Sequence, residues 1–313
     1  MYPWDDALFE MNHDLILIRY GELSLKSPYV RKQFESTLVR NISQAFEHRG
    51  LTCRLIKEWG RIYLFTTEIN QGASILQHIF GITSISPAVR TTAEIQQMTD
   101  SAVSVAKQTI RENDRFALRV TRTGTHPFTS QEIAIRLGDE LRKITKARVD
   151  LTHPTVEIGI DIRNKNAFLF TERIQGSGGL PLGTQGKVLV LVENFWSLLA
   201  GWYLMRRGCT PIMAIIDDTQ KEKIFSFLKE WNAPSRLINL IQSNHLNEDI
   251  SKIVLDQGCD AVASGLTFAD SSVDVIEKST CLKNTIPVPT LYPLLAMTKD
   301  FINQKCQEVG LLI

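Results

Sequence analysis

Gly176-Ser-Gly-Gly-Leu-Pro-Leu-Gly-Thr-Gln-Gly186, followed by Lys187-Val-Leu-Val-Leu-Val192 and Glu193-Asn-Phe-Trp-Ser197, is the stretch on which the fold turns. Its first eleven residues hold five glycines and a proline, a composition suited to a mobile linker. The next six, apolar after Lys187, read as a buried parallel strand, and Ser197–Arg207 reads as a helix. Strand, tight loop and helix is where α/β folds bind phosphate, because backbone N–H groups and the positive end of the helix dipole converge there. Such a loop needs glycines so that the backbone can come close to the phosphate. Glu193, Asn194, Phe195, Trp196 and Ser197 supply none.

Downstream of this stretch, short apolar runs alternate with helical patterns. Strands are expected at Lys187–Val192, Pro211–Ile216, Arg236–Leu240 and Asp260–Ala263, with helices at Ser197–Arg207, Gln220–Trp231, Asn247–Gln257 and Thr298–Val309. That rhythm predicts a doubly wound parallel sheet over 176–313, with 176–186 as linker. Upstream, strands at Leu15–Arg19, Leu51–Lys57, Arg61–Phe65 and Ser84–Arg90 and helices at Tyr29–Arg49 and Gln71–Phe80 give the order βαββαβ, a ferredoxin-like domain over 1–90. Between them, 91–175 reads as a second small α+β domain: a helix at Glu94–Glu112, a strand at Phe116–Thr121, and a helix opened by the capping box Thr129-x-x-Glu132. Ile133, Leu137, Leu141 and Ile144 form the apolar stripe of that helix. Val156–Ile162 and Ala167–Arg173 then form a hairpin around Asn164-Lys165-Asn166.

With 313 residues, 43% of them apolar and 22% charged, the chain is of ordinary globular composition, which excludes wholesale disorder. The net charge is +1, but it is unevenly spread: residues 101–150 carry ten Lys and Arg against six Asp and Glu, whereas 176–313 carry twelve against fourteen. A basic middle fits a polyanionic partner, or simply a solvated surface. The five cysteines (Cys53, Cys209, Cys259, Cys281 and Cys306) are scattered without zinc-ligand spacing, which fits a reducing compartment and no metal site. Residues 1–11 have no apolar signal-peptide core, and no apolar run approaches a membrane span. A cytoplasmic protein with no membrane partner is expected.

Four constellations carry possible chemistry. Arg119, Arg122, His126, Thr129, Ser130, Gln131, Arg136, Lys143, Lys146 and Arg148 suit a surface for an RNA backbone, with guanidinium and ammonium groups on phosphates and a capped helix N-terminus adding N–H donors. The same residues also suit an ordinary solvated helix face. Glu193–Ser197 reads either as a nucleotide loop or as a plain strand-to-helix connection with Asn194 as cap and Phe195 and Trp196 packed; a carboxylate and two bulky rings favour the second. Asp217-Asp218, after a strand, is a carboxylate pair for Mg²⁺ or the start of a helix. The cysteines read mainly as structural, with Cys53 inside a strand.

Several stretches resemble the tRNA 4-thiouridine synthetases, the tRNA sulfurtransferases also called ThiI. They are Ile18-Arg-Tyr-Gly-Glu-Leu-Ser-Leu-Lys26 with Arg31–Asn41, Ile79-Phe-Gly-Ile-Thr-Ser-Ile-Ser-Pro-Ala88, Phe116–Ala134, Glu172–Val188, and Leu291-Tyr-Pro-Leu-Leu-Ala-Met-Thr-Lys299. The resemblance runs in order along nearly the whole chain. It implies a ferredoxin-like domain and a THUMP domain that hold the acceptor region of a tRNA. It further implies a PP-loop pyrophosphatase domain that adenylates a uridine and replaces its oxygen with sulfur from a persulfide, a sulfur chemistry also used for the thiamine thiazole. The carry-over stops at the chemistry. The family's PP-loop reads Ser-Gly-Gly-x-Asp-Ser, and here Glu193-Asn-Phe-Trp-Ser197 replaces it with only Ser197 in common. The segment Asn239–Ser251, near which the family places its relay cysteine, holds no cysteine, and no rhodanese-like domain follows before Ile313. The expectation is therefore a tRNA-binding member without catalytic residues or cofactor, serving tRNA modification as a binding or adaptor protein, with a tRNA-modifying enzyme as a further partner and a homodimer compatible with it. The alternative is an active tRNA sulfurtransferase that uses ATP and Mg²⁺ through an altered site or a partner subunit.

Overall fold

The computed structural model describes residues 13, 15–21, 27–216, 221–240, 245–268 and 272–311. In chain order its elements are β1 (Leu15–Tyr20), α1 (Pro28–Glu47), β2 (Arg54–Glu58), β3 (Arg61–Phe65), α2 (Ile69–Gln77), β4 (Ile82–Thr92), α3 (Ile95–Thr109), β5 (Arg115–Thr123), α4 (Ser130–Thr145), β6 (Arg148–Val149), β7 (Val156–Arg163), β8 (Asn166–Phe170) and β9 (Ile174–Gln175). These are followed by β10 (Lys187–Val192), α5 (Phe195–Arg206), β11 (Thr210–Ile215), α6 (Lys221–Glu230), β12 (Leu237–Asn239), α7 (Leu246–Gln257), β13 (Ala261–Ser264), α8 (Ser272–Thr285), β14 (Thr290–Leu291) and α9 (Lys299–Glu308). They form two compact units: one of Met1–Tyr20, Ser43–Gln77 and Ile82–Gly176, the other of Gly21–Ile42, His78–Gly81 and Ser177–Ile313.

The first unit is built on one sheet in the order β2-β3-β1-β4-β8-β7-β5-β6, with β9 also paired to β4. The first four strands have the ferredoxin-like arrangement expected from βαββαβ. The eleven residues of β4 serve both halves: Leu15–Tyr20 pairs with the stretch Ile82–Ala88, and Val89–Thr92 pairs with Asn166–Leu169 of β8. The boundary expected at residues 90 and 91 therefore falls inside a strand. Strand alternation sends one set of side chains to the helices, where Phe116, Leu118, Ile158, Ile160, Ile162 and Leu169 pack with Met98, Ala102 and Val105 of α3 and Ile133, Leu137 and Leu141 of α4. On the opposite side the sheet rolls over on itself. β3 and β7 are four strands apart, which would separate them by about 19 Å in a flat sheet. Yet Arg61 Nε lies 3.0 Å from Asp161 Oδ2, and Tyr63 stacks on Phe168 with ring centroids 4.6 Å apart.

The second unit carries the all-parallel sheet β12-β11-β10-β13-β14. Val188, Val190 and Val192 of β10 face a core with Leu198, Trp202 and Met205 of α5, Ile224, Phe227 and Leu228 of α6, and Ile302 and Cys306 of α9. Leu189 and Leu191 face the other way, toward Ile250 and Val254 of α7 and Leu282 and Ile286, at the end of α8 and just after it. Helices on both faces explain why β10 is apolar at every position after Lys187.

Four expectations change. The glycine-rich 176–186 is pinned rather than left as a loose tether: in the second unit Ser177 Oγ donates to Ile79 O at 2.7 Å, Gly81 N to Gly178 O at 2.7 Å and Gly183 N to Gly208 O at 2.8 Å. Ile144, assigned to the apolar stripe of α4, is 42% exposed, because the helix ends one residue later and the stripe has run past the core. The strand expected from Leu51 begins at Arg54, which leaves Cys53 outside it. The helix expected from Ser197 begins at Phe195, which puts both rings in its first turn. Asp217-Asp218 lies outside the described residues.

Candidate functional site

Of the ten residues proposed for an RNA surface, all belong to the first unit and most project from α4 and its flanks. Thr129 caps α4: its hydroxyl accepts from Glu132 N at 3.1 Å and its own N–H donates to Glu132 Oε2 at 2.7 Å, which completes the capping box. Those hydrogen bonds hold the Glu132 carboxyl below its ordinary pKa. Ser130 and Gln131 open the helix; Arg136, Lys143, Lys146 and Arg148 are exposed along and beyond it. Lys146 ends the helix in a left-handed conformation at φ 57°, which turns the chain into β6. Lys143 pairs with Glu140 at 2.7 Å, an exposed contact that competing phosphates can replace.

Arg119 and Arg122, both on β5, are placed differently. Arg119 is exposed but engaged, with Nε 2.8 Å from Glu157 Oε2 and Nη2 donating to Leu151 O at 2.8 Å. Arg122 is half-buried: Nη1 donates to Gly124 O at 3.2 Å and lies 3.4 Å from His126 Nδ1, while Nε is buried without a partner. His126 Nε2 lies 2.7 Å from Asn164 O, which requires the proton on Nε2 and leaves Nδ1 to accept from Arg122. His126 also stacks on Phe128, so this pair knits the loop before α4 to the β7–β8 turn.

In the second unit, β10 lies between β11 and β13, where the strand order reverses. That switch point is the place at which open α/β sheets hold ligands, beyond the carboxyl ends of the strands. Residues 193–197 connect β10 to α5 at that point. Asn194 caps α5 in a second capping box: Ser197 N donates to Asn194 Oδ1 at 3.1 Å, and Glu193 N and Asn194 N donate to Ser197 Oγ at 3.3 and 3.4 Å. Three backbone N–H groups of this turn are thus bonded to side chains within it. Ser197 is buried, and Gly265, after β13, presses against it so closely that a Cβ there would lie 2.7 Å from Ser197 N. Glu193 lies 3.8 Å from Lys278 Nζ of α8. Phe195 and Trp196 pack partly against the core, with Lys223 Nζ 4.5 Å and Lys299 Nζ 5.8 Å from the ring centroids, and Trp196 Nε1 donates to Asn303 Oδ1 at 3.3 Å. Two cavities of about 530 and 510 Å³ in this unit are lined by the carboxyl end of α5 with Tyr292 and by α8 with Pro289; residues 193–197 line neither. Gly265 and Lys278 carry no motif; the signal that was available is the glycine directly after the apolar run Ala261-Val-Ala-Ser264.

Among the described residues no group of three or more His, Cys, Asp or Glu is placed to hold a metal, and no helix is long and apolar enough to cross a membrane. Burial pushes the thiols of Cys53, Cys209, Cys259 and Cys306 up, that of Cys306 to about 11. Cys281, on α8, is exposed, and its Sγ accepts from Asn247 Nδ2 at 3.1 Å.

Comparison with known proteins fits this architecture. The ThiI ferredoxin-like domain matches residues 15–86 and the THUMP domain residues 92–172. A probable tRNA sulfurtransferase of Methanosarcina mazei is 35% identical, with 96% of this chain and 84% of that protein covered. One from Methanobrevibacter smithii is 30% identical, over 96% of this chain and 87% of that protein. Among solved structures, PH1313 from Pyrococcus horikoshii Ot3 superposes with a TM-score of 0.82 at 30% identity, covering 95% of this chain and 99% of that one. A 4-thiouridine synthetase solved with RNA and ATP shares the fold, with a TM-score of 0.79 at 22% identity over 96% of this chain and 85% of that one. With its ferredoxin-like and THUMP halves on one sheet and a parallel sheet after them, the chain belongs to the tRNA sulfurtransferase family.

Proposed function

We propose that this chain is a tRNA-binding member of its family that holds the acceptor region of a tRNA through its first unit and does not itself adenylate the RNA, acting in tRNA modification as a binding or adaptor protein. The observation that carries this reading is the Asn194–Ser197 capping box at the switch point. An ATP-hydrolysing loop presents free N–H groups and glycines to the phosphates, whereas here the N–H groups of Glu193, Asn194 and Ser197 are consumed by side chains and Gly265 closes the space behind them. The Glu193 carboxylate would repel a triphosphate at the same place. RNA binding is supported by the THUMP match and by the exposed Arg136, Lys143, Lys146 and Arg148.

The second reading is an active tRNA sulfurtransferase, favoured by the activity for which the relatives are named. It needs an ATP site opened by RNA or supplied by a partner subunit, and a thiol able to carry sulfur; among the described cysteines Cys281 is the exposed one. A titration of transfer RNA into the protein with labelled ATP present separates the two. Salt-sensitive RNA binding without AMP or pyrophosphate release supports the first, and RNA-dependent release of either product by the pure chain supports the second.

A further inference from the structure

β14 is the outermost strand of the second unit's sheet and is open on one side. It runs parallel to β13, with Val262 opposite Thr290 and Ala263 opposite Leu291, and among the described residues no strand pairs with its other edge. Val262 N donates to Pro289 O at 2.9 Å. Along a strand, alternate residues turn their backbone groups to the same side. With Pro289 turned to β13, Thr290 therefore directs both its N–H and its C=O outward. Proline commonly blunts such edges because it has no N–H. Pro289 stands where the missing N–H would have faced β13, so the outward donor of Thr290 is kept.

Both faces of this edge are hollow. The cavity of about 530 Å³ lies on the α5 side, bounded by Tyr203, Arg206 and Arg207 with Leu291. The cavity of about 510 Å³ lies on the α8 side, bounded by Ser279, Thr280 and Lys283 with Thr290. Leu291 and Thr290, neighbours in the strand, line opposite cavities, as strand alternation requires. Tyr292 borders both, and its hydroxyl donates to Ser279 O at 3.3 Å, which ties the ring to α8. A segment added along β14 would lie about 4.8 Å from it and send successive side chains to opposite faces, one into each cavity. Both cavities carry positive charge. Arg207 and Lys283 are exposed, and among the described residues neither makes an ion pair. Arg206 is half-buried, with Nε donating to Ser177 O at 3.1 Å. No Asp or Glu is among the described residues that line either cavity. Two adjacent carboxylates on an incoming strand would each meet a cation, one on each face.

We propose that the β14 edge is a docking site for an extended, acidic segment of a partner protein. The segment adds to the five-stranded sheet as a further strand, bonds Thr290 through its backbone and places neighbouring carboxylates beside Arg207 and Lys283. An edge of two residues supplies few main-chain bonds, so the cavities and their charges select the partner. A second copy of this chain, whichever face it presented, would set cation against cation at the same place. The site gives the adaptor reading a partner chemistry, and it does not depend on RNA binding.

The test uses the full chain without RNA and a fluorescently labelled octapeptide, capped at both ends, with two central glutamates flanked by valines and threonines. Binding is followed by fluorescence anisotropy and hydrogen exchange. The acidic peptide is expected to bind at least about tenfold more tightly than the same peptide with two central lysines. Methylating the backbone nitrogens of the two glutamates removes the ladder donors and should abolish binding. Arg207→Glu and Lys283→Glu, both at exposed positions and checked by melting curves, are each expected to weaken binding roughly 5- to 20-fold. The Thr290 amide should exchange more slowly when the peptide is bound. Absence of binding at about 1 mM peptide, or equal binding of the lysine or N-methylated form, overturns the proposal. So does binding that both charge reversals leave unchanged. If the chain sediments as a dimer through this edge and the peptide does not bind, the edge joins two copies and the acidic partner is refuted.

Discussion

Ser197 sits against Gly265 at a distance that leaves no room for a side chain, since a Cβ on Gly265 would lie 2.7 Å from Ser197 N, 2.8 Å from its Cα and 2.9 Å from its Oγ. The contact joins the loop after β13 to the first turn of α5. Gly265→Ala must displace backbone, because neither Ser197 nor its cap has a flexible end to yield. The expected cost is about 1–3 kcal/mol, read as a fall in the denaturant midpoint. No gain of ATP binding is expected in Gly265→Ala or in Asn194→Gly, and ATP binding regained by uncapping Ser197 would mean that the nucleotide site is only latched.

The capping box of α4 makes a pH-dependent contribution. Thr129→Ala is expected to destabilise the first unit by about 1 kcal/mol. Glu132 is held below its ordinary carboxyl range by the Thr129 N–H and hydroxyl. Its contribution is therefore complete above the unfolded value of 4.5 and is lost as pH falls through the depressed folded value. The difference in melting temperature between the unsubstituted chain and Glu132→Gln should be largest above the unfolded value of 4.5 and should close as the pH falls through the depressed folded value.

Arg122 and Lys146 are expected to separate a structural arginine from an RNA-facing lysine. Lys146→Ala and Arg148→Ala remove exposed charges and should each reduce the salt slope of RNA binding by about 1 with little change in stability. Arg122→Ala deletes the partner of His126 Nδ1 and the bond to Gly124 O, so it should lower the melting temperature first. A salt slope unchanged by Lys146→Ala and Arg148→Ala together would remove α4 from the RNA interface.

The thiols should react in an order set by burial. At pH 7.5 iodoacetamide is expected to label Cys281 first, since it is exposed, while Cys53, Cys209, Cys259 and Cys306 have thiols raised by desolvation. Mass spectrometry of the time course checks this, and Cys281→Ala should abolish the fast phase. A fast-reacting Cys306, on the buried face of α9, would show that this helix opens readily.

Long periodic elements were legible in the residues, and the short or atypical ones were not. The apolar run Leu15–Ile18 and the capping pair Thr129 and Glu132 announce β1 and α4, and the apolar run Val188–Val192 announces β10. β6, β9 and β14 are two residues each, too short to show a period of two. α8 passed unread because Val275, Ile276 and Leu282 are spread too thinly to mark one face, and Ile276 is indeed exposed. The capping role of Asn194 was readable from its place between a strand and a helix, but Ser197 closing the box from N3 was not, since that position ordinarily carries Glu or Gln. The arginines inside the first unit had a visible mark as well. Arg19, Arg61 and Arg163 occupy inward positions of strands whose other inward residues are Leu17, Tyr63 and Asp161, a pattern that assigns charge to a core. What the pattern could not show is that β3 and β7, remote in sheet order, close over each other and bring those charges together.

The shared strand β4 means that the two modules recognised in the sequence are not two pieces of material. Cutting the chain at residue 90 or 91 would strip β8 of the partner that Val89–Thr92 provides and leave a bare strand edge on each fragment. Neither half is therefore expected to behave as a soluble fragment. In a hydrogen-exchange experiment the amides of β1 and β8 should open together as a single cooperative block, whichever family description covers them.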